Sequence, residues 1–122
     1  MRDHHKLHAF ALADQLAVQT YQITRLFPKD ELYALTSQMR RAAVSVPSNI
    51  VEGCARSSHA EYVHFLDIAF GSLRELRYQY DLAVRLDYLP ASQYIEVEPK
   101  LLEAEKVLSG LIRALRNSQK AV

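Results

Sequence analysis

Four apolar stripes at helical spacing, separated by short polar breaks, run along the chain. Leu12, Leu16, Ile23 and Leu26 share one face, widened by Phe10, Ala13 and Ala17, and predict a first helix from about Leu7 to Leu26. Phe27-Pro28 ends it, because the residue before a proline is biased out of helical angles. Pro28 suits the first turn of a second helix, with Asp30 and Glu31 favourably near its positive end, and this helix continues to about Ala55. Ser58 followed by Glu61 reads as a capping box. It opens a third helix that carries Tyr62, Phe65, Leu66, Ala69, Leu73, Leu76, Tyr80, Ala83 and Val84 and stops at Leu89-Pro90. A fourth helix takes Ser92 as cap, with a kink or a late start at Pro99, and shows the stripe Leu101, Leu102, Ala104 or Glu105, Leu108, Leu111, Ile112 and Leu115. The connections are short. They favour an all-α, antiparallel up-down-up-down four-helix bundle, one domain over 1–122.

The second helix is unusual. From Ala42 to Val51 it holds no charge, and it is small or apolar on every face, as in helices buried on more than one side. In a short chain, one face can pack in the bundle and another against a second copy. Pro47 lies within this run. It removes the N–H that would bond the Ala43 carbonyl and crowds that turn, at a cost of ~3 kcal/mol. Either one helix bends there, with Ser45, Ser48 or Asn49 serving freed backbone groups, or the helix stops near Val46 and restarts. The 3,4 spacing of Leu35, Met39, Ala42, Val46, Asn49 and Gly53 continues through Pro47 and favours the kinked helix. Gly71-Ser72 in the third helix costs about 1 kcal/mol of propensity, and close helix contact beside Pro47 is the expected reason.

Composition agrees with helices: 122 residues, three glycines and no tryptophan. The formal net charge of +1 gives no global pull toward nucleic acid or membrane. One cysteine, Cys54, excludes an intramolecular disulfide and suits a reducing compartment. The uncharged runs are too short to span a bilayer, and no apolar signal-peptide core opens the chain. A cytoplasmic protein without membrane attachment is expected. The charges of the fourth helix are uneven. Glu96, Glu98, Glu103 and Glu105 come early, then Lys106, Arg113, Arg116 and Lys120 come late. Two readings stand: complementing the helix dipole, or a basic surface for a polyanion.

Candidate chemistry is sparse. Glu61-Tyr62-Val63-His64 has the Glu-x-x-His spacing of di-metal bundles, but those need two such motifs and further inward glutamates. His4 and His8, with Asp3, could meet a metal only at a terminus prone to fray. Cys54 has no evident base beside it. Arg56-Ser57-Ser58-His59 is too closely spaced for the arginine–histidine pair of helical ribonucleases, and no glycine-rich phosphate loop is present. The tyrosines are spread through the helices and read as core or interface residues, not as a base-stacking platform. No catalytic residue, cofactor or metal is expected. Arg41, Ser45, Ser48 and Glu52 form a 4,3,4 stripe, and Asn49, Glu52 and Arg56 share adjacent turns. With Glu75 available on the third helix, Arg41, Asn49, Glu52, Arg56 and Glu75 are expected to form a structural polar network at a helix or subunit interface. Alternatively, Arg40, Arg41 and Arg56 reach phosphates directly.

Gln38-Met39-Arg40-Arg41-Ala42-Ala43, Val46-Pro47-Ser48-Asn49-Ile50, Glu52-Gly53 and Arg56 resemble the signature of a bacterial family of four-helix-bundle proteins. Some members are encoded within intervening sequences of 23S ribosomal RNA genes. Others are accessory variability determinants of diversity-generating retroelements. Tyr21, Thr24, Phe27-Pro28, Phe65-Leu66, Ala69, Gly71-Ser72-Leu73 and Glu75-Leu76 extend the resemblance over roughly Leu7 to Arg116. Phe10, Val51 and Ala55 depart from it, standing where tryptophan, alanine and glycine are common. The resemblance implies a ring-like homopentamer, and for the retroelement branch a reverse transcriptase and structured nucleic acid as partners. The expected function is a non-enzymatic homo-oligomer that binds RNA, DNA or a nucleic-acid enzyme, through Lys106, Arg113, Arg116 and Lys120 or through Arg40 and Arg41. The alternative is a structural or regulatory scaffold that binds only protein.

Overall fold

In the computed structural model of the chain, residues 2–120 are described, the side chains of 119 and 120 excepted. Four helices carry the fold: α1 (His8–Thr24), α2 (Leu35–Cys54), α3 (His59–Arg85) and α4 (Ala91–Lys120). No strand occurs among the described residues. Residues early in one helix meet residues late in the next. Arg2 reaches the end of α2 while Arg40 reaches Thr24. Gly53 lies on Tyr62 while Ser45 meets Ser72. Asp67 pairs with Arg116 while Arg77 pairs with Glu105. Sequential helices therefore run in opposite senses, with α1 also touching α4.

The apolar stripes converge on one core. Leu16, Met39, Ile50, Leu66, Leu73, Leu76, Leu101 and Leu108 are its largest sealed aliphatic side chains. Tyr80 is sealed among them, and its hydroxyl meets Thr20 Oγ1 at 2.7 Å. Burial of the neutral ring outweighs that bond and pushes the phenol up to about 12.

Several boundaries differ from expectation. α1 stops at Thr24, so Leu26 leaves the stripe and stands 79% exposed, while Phe27 turns inward against Tyr88. α2 does not start at Pro28. Lys29–Glu31 make a single 3-10 turn, Ala34 has φ −123° and ψ −108°, and α2 begins at Leu35. None of residues 28–34 is buried, and a short helix without a packed face has little to stabilise it. Glu31 still serves the helix start, because its carboxylate accepts from the Leu35 N–H at 3.2 Å.

Ser58 caps α3 as expected, accepting from the Glu61 N–H at 2.9 Å. α3 ends at Arg85, before Leu89-Pro90. Asp87 adopts φ 62°, and the N–H groups of Tyr88 and Asp87 bond the carbonyls of Ala83 and Val84. This is a Schellman closure with aspartate where glycine is usual. α4 starts at Ala91, with the Pro90 carbonyl accepting its first bonds, so Ser92 lies inside the helix and is not its cap.

α2 and α4 both continue through an internal proline. Pro99 and Ile95, whose carbonyl loses a partner, are exposed, so water can satisfy that group. Pro47 is buried. Asn49 donates to the Ser45 carbonyl at 2.8 Å and to Ser45 Oγ at 2.9 Å, and Ser45 Oγ meets Ser72 Oγ at 2.8 Å. These bonds knit α2 to α3 beside Pro47.

The close-contact glycine is Gly53, not Gly71. A Cβ on Gly53 would sit 3.1 Å from Phe65 Cβ and 3.2 Å from the Tyr62 carbonyl, whereas one on Gly71 would meet nothing within 4 Å. Gly53→Ala is expected to lower stability by about 1–3 kcal/mol through overpacking, despite its better helix propensity. Gly71→Ala is expected to raise stability by up to about 1 kcal/mol. Denaturant melts of the two variants check this directly.

Candidate functional site

α2 buries two of its faces. One carries Leu35, Met39, Ala42, Val46 and Gly53, the other Ala43, Pro47, Ile50 and Cys54. The third face, with Arg41, Val44, Ser48, Val51 and Ala55, is exposed. At its N-terminal end an open groove of about 550 Å³ lies between the end of α1 and the start of α2. Tyr21, Leu32, Tyr33, Ser37, Arg40 and Arg41 line it together with Val44 and Ser45. Arg40 is held in place. Its Nε donates to Thr24 Oγ1 at 2.9 Å, an Nη reaches the Tyr21 carbonyl at 3.5 Å, and the guanidinium lies 4.7 Å from the Tyr21 ring centroid. Arg41 is exposed and also borders a second, smaller groove with Ser72 and Glu75, yet it forms no ion pair with Glu75.

The basic end of α4 is only partly available. Lys106 and Arg113 are exposed, without carboxylate partners among the described residues. Arg116 is bound to Asp67 of α3. The Lys120 side chain lies outside the described residues. The pocket beside Arg113 also contains Asp67, whose charge disfavours an anion there.

The expected five-residue network does not assemble within one chain. Glu52 and Arg56 pair with each other on the surface, and Arg56 also lies 3.9 Å from Glu61 and over the Phe65 ring. Asn49 turns to Ser45, and Glu75 accepts from Gln79 at 3.3 Å. The most buried inter-helix ion pair lies elsewhere. Glu105, 9% exposed, accepts from Arg77 Nη1 at 2.9 and 3.0 Å, with Arg74 Nε at 3.5 Å. Its signal in the sequence is a glutamate in register with Leu101, Leu108 and Ile112, a stripe otherwise apolar.

A family model for the 23S rRNA-intervening sequence protein matches residues 5–110. The chain belongs to that family. The same fold appears in a crystal structure of a protein of unknown function, from the S23 ribosomal protein family of Bacteroides thetaiotaomicron. The two share 24% identity at a TM-score of 0.78, over 86% of this chain and 95% of the other. No curated protein matches the chain. The residues that carry the family resemblance fall chiefly on α2, on its buried faces and at Arg40 and Arg41.

In this family member, Cys54 is buried. Burial raises its thiol, with a Tyr62 hydrogen bond acting in the opposite direction, which makes it a poor nucleophile. The ligand atoms of Asp3, His4 and His5 lie within 4.8 Å of one another, but His8 turns away to Glu103 at 3.0 Å, so Asp3, His4 and His8 do not converge. His59 is half-buried and its Nε2 donates to the Leu115 carbonyl at 2.9 Å, which ties the start of α3 to the end of α4. Tyr33 and Tyr78 are 92% and 59% exposed, so neither belongs to the core of the single chain. No described helix is long and apolar enough to cross a membrane.

Two truncations separate surface from interior charge. Glu52→Ala is expected to cost less than about 1 kcal/mol, as for an exposed pair. Arg77→Ala should cost about 1–3 kcal/mol. That is below the ~3–5 kcal/mol of a fully buried pair, because Arg74 can partly replace Arg77 beside Glu105. Thermal or chemical denaturation of both variants reads the difference.

Proposed function

We propose that this chain is a non-enzymatic bundle protein that associates with copies of itself and binds nucleic acid, RNA first, in the cytoplasm. One observation carries the reading. Arg56, Arg74, Arg77, Arg85 and Arg116 each pair with a carboxylate, whereas Arg2, Arg25, Arg40, Arg41 and Arg113 have none among the described residues. A chain with a net charge of +1 thus still presents uncompensated guanidiniums at chosen places. The family's link to an intervening sequence of 23S rRNA supports RNA as the ligand. The exposed, uncharged Ser48, Val51 and Ala55 support self-association. A ring of five, as the family resemblance implies, would repeat each arginine site and turn weak contacts into multivalent ones. The resemblance to retroelement accessory determinants extends the proposal to a reverse transcriptase as protein partner. A protein-only scaffold is the second reading, favoured by exposed apolar side chains such as Val44 and Leu26.

Sedimentation and RNA titration test this together. The expected result is a multimer that binds single-stranded RNA, with affinity falling in salt at a slope of about −0.7 per phosphate contact. A multimer that binds no RNA at low salt makes the scaffold the better account. A monomer at micromolar concentration contradicts self-association.

A further inference from the structure

The groove between the end of α1 and the start of α2 combines three features that no other described pocket brings together. It has an exposed aromatic ring, Tyr33, 92% exposed and raised on the 28–34 segment. It has two arginines without carboxylate partners, and no acidic residue lines it. By contrast, the pocket beside Arg113 is lined by Asp67, the one beside Tyr78 and Tyr94 by Asp81 and Glu98, and the one between Arg41 and Ser72 by Glu75.

Arg40 is pre-positioned. Thr24 and the Tyr21 carbonyl hold one edge of its guanidinium, and the Tyr21 ring supports one face. A guanidinium carries five N–H donors, so the outer edge keeps donors free for an oxyanion. Arg41, the next residue, supplies a second positive charge at the same mouth. The volume, about 550 Å³, lies within the ~300–1,000 Å³ range of small-molecule sites.

Resting on the function proposed above, we infer that this groove is a site for single-stranded nucleic acid: a base stacks on Tyr33, and flanking phosphates bind Arg40 and Arg41. Single strands bind where cationic side chains follow the backbone and aromatic rings accept unstacked bases. A duplex keeps its bases stacked on each other and offers Tyr33 no free base face, so the groove selects single strand over duplex. Stacking is indifferent to base identity, so sequence preference is weak.

The chain has no tryptophan, so Tyr33→Trp places a single fluorescent reporter at the stacking position. A short oligouridine is titrated against a duplex of equal length, with circular dichroism and sedimentation run on every variant. The single strand is expected to quench the Tyr33→Trp emission and the duplex to leave it unchanged. Tyr33→Ala should weaken oligouridine binding by roughly 5- to 150-fold, with Tyr33→Phe retaining it. Arg41→Ala should reduce the salt slope by about 0.7. Tyr33 and Arg41 are both exposed, so helicity should be unchanged. If the wild type binds oligouridine but Tyr33→Ala and Arg41→Ala bind equally well, while Arg113→Glu does not, the site is wrong and the proposed function stands. If the groove variants instead change oligomer size, the groove is a subunit contact and the inference fails. A wild type that binds neither probe overturns both.

Discussion

The bundle depends on how closely α2 can lie against α3. Gly53 lets the Tyr62 backbone and the Phe65 side chain approach to a distance that no Cβ would accept comfortably. Ala42 and Ala43, both sealed, keep the rest of α2 thin. The N-terminal segment closes this corner. The Arg2 N–H donates to the Cys54 carbonyl at 3.1 Å, Nη1 donates to the Arg56 carbonyl at 2.8 Å, and the guanidinium lies 4.0 Å from the Tyr62 ring centroid. A helix packed this tightly on two sides has one face left. On α2 that face carries Arg41, Val44, Ser48 and Val51, so the packing of the core decides which residues remain for partners.

Much of this was legible from the sequence. The number of helices, the core residues of α3 and the Ser58 cap follow from spacing and local hydrogen bonding, which do not need distant residues. At residues 28–34 the local pattern allowed helix, but no packed face was there to hold it; at Leu26 the helix had already ended at Thr24, and at Asp87 a left-handed turn closed it. The polar network does not close within one chain for a related reason. Helical spacing shows which residues share a face, but not which helix that face meets. Glu52 therefore turned out to be a surface residue, while Glu105, placed in an apolar stripe, was the glutamate held inside. Gly71 drew attention because it sits mid-helix, but only the relative position of two helices could show that Gly53 is the one without room.

Charge placement links the fold to the proposed function. Most arginines between α3 and α4 are spent on carboxylates across the helix pair, where they set register. Those at the start of α2 are not, and one of them is braced by Thr24 and Tyr21 instead of neutralised. Bracing by a hydroxyl and a ring fixes direction while leaving the charge intact, which suits a phosphate contact better than a structural one. The 28–34 segment, too poor in buried residues to continue α2, places Tyr33 beside these charges.

The central claim is that nucleic acid meets this protein at the groove between α1 and α2. Photo-crosslinking with a 4-thiouridine oligonucleotide, followed by mass spectrometry of the digested protein, locates the contact without altering any residue. The account predicts adducts on the peptides that contain Tyr21 and Tyr33. Adducts confined to the α4 peptides around Arg113, or none at all under conditions where binding is observed, would contradict it.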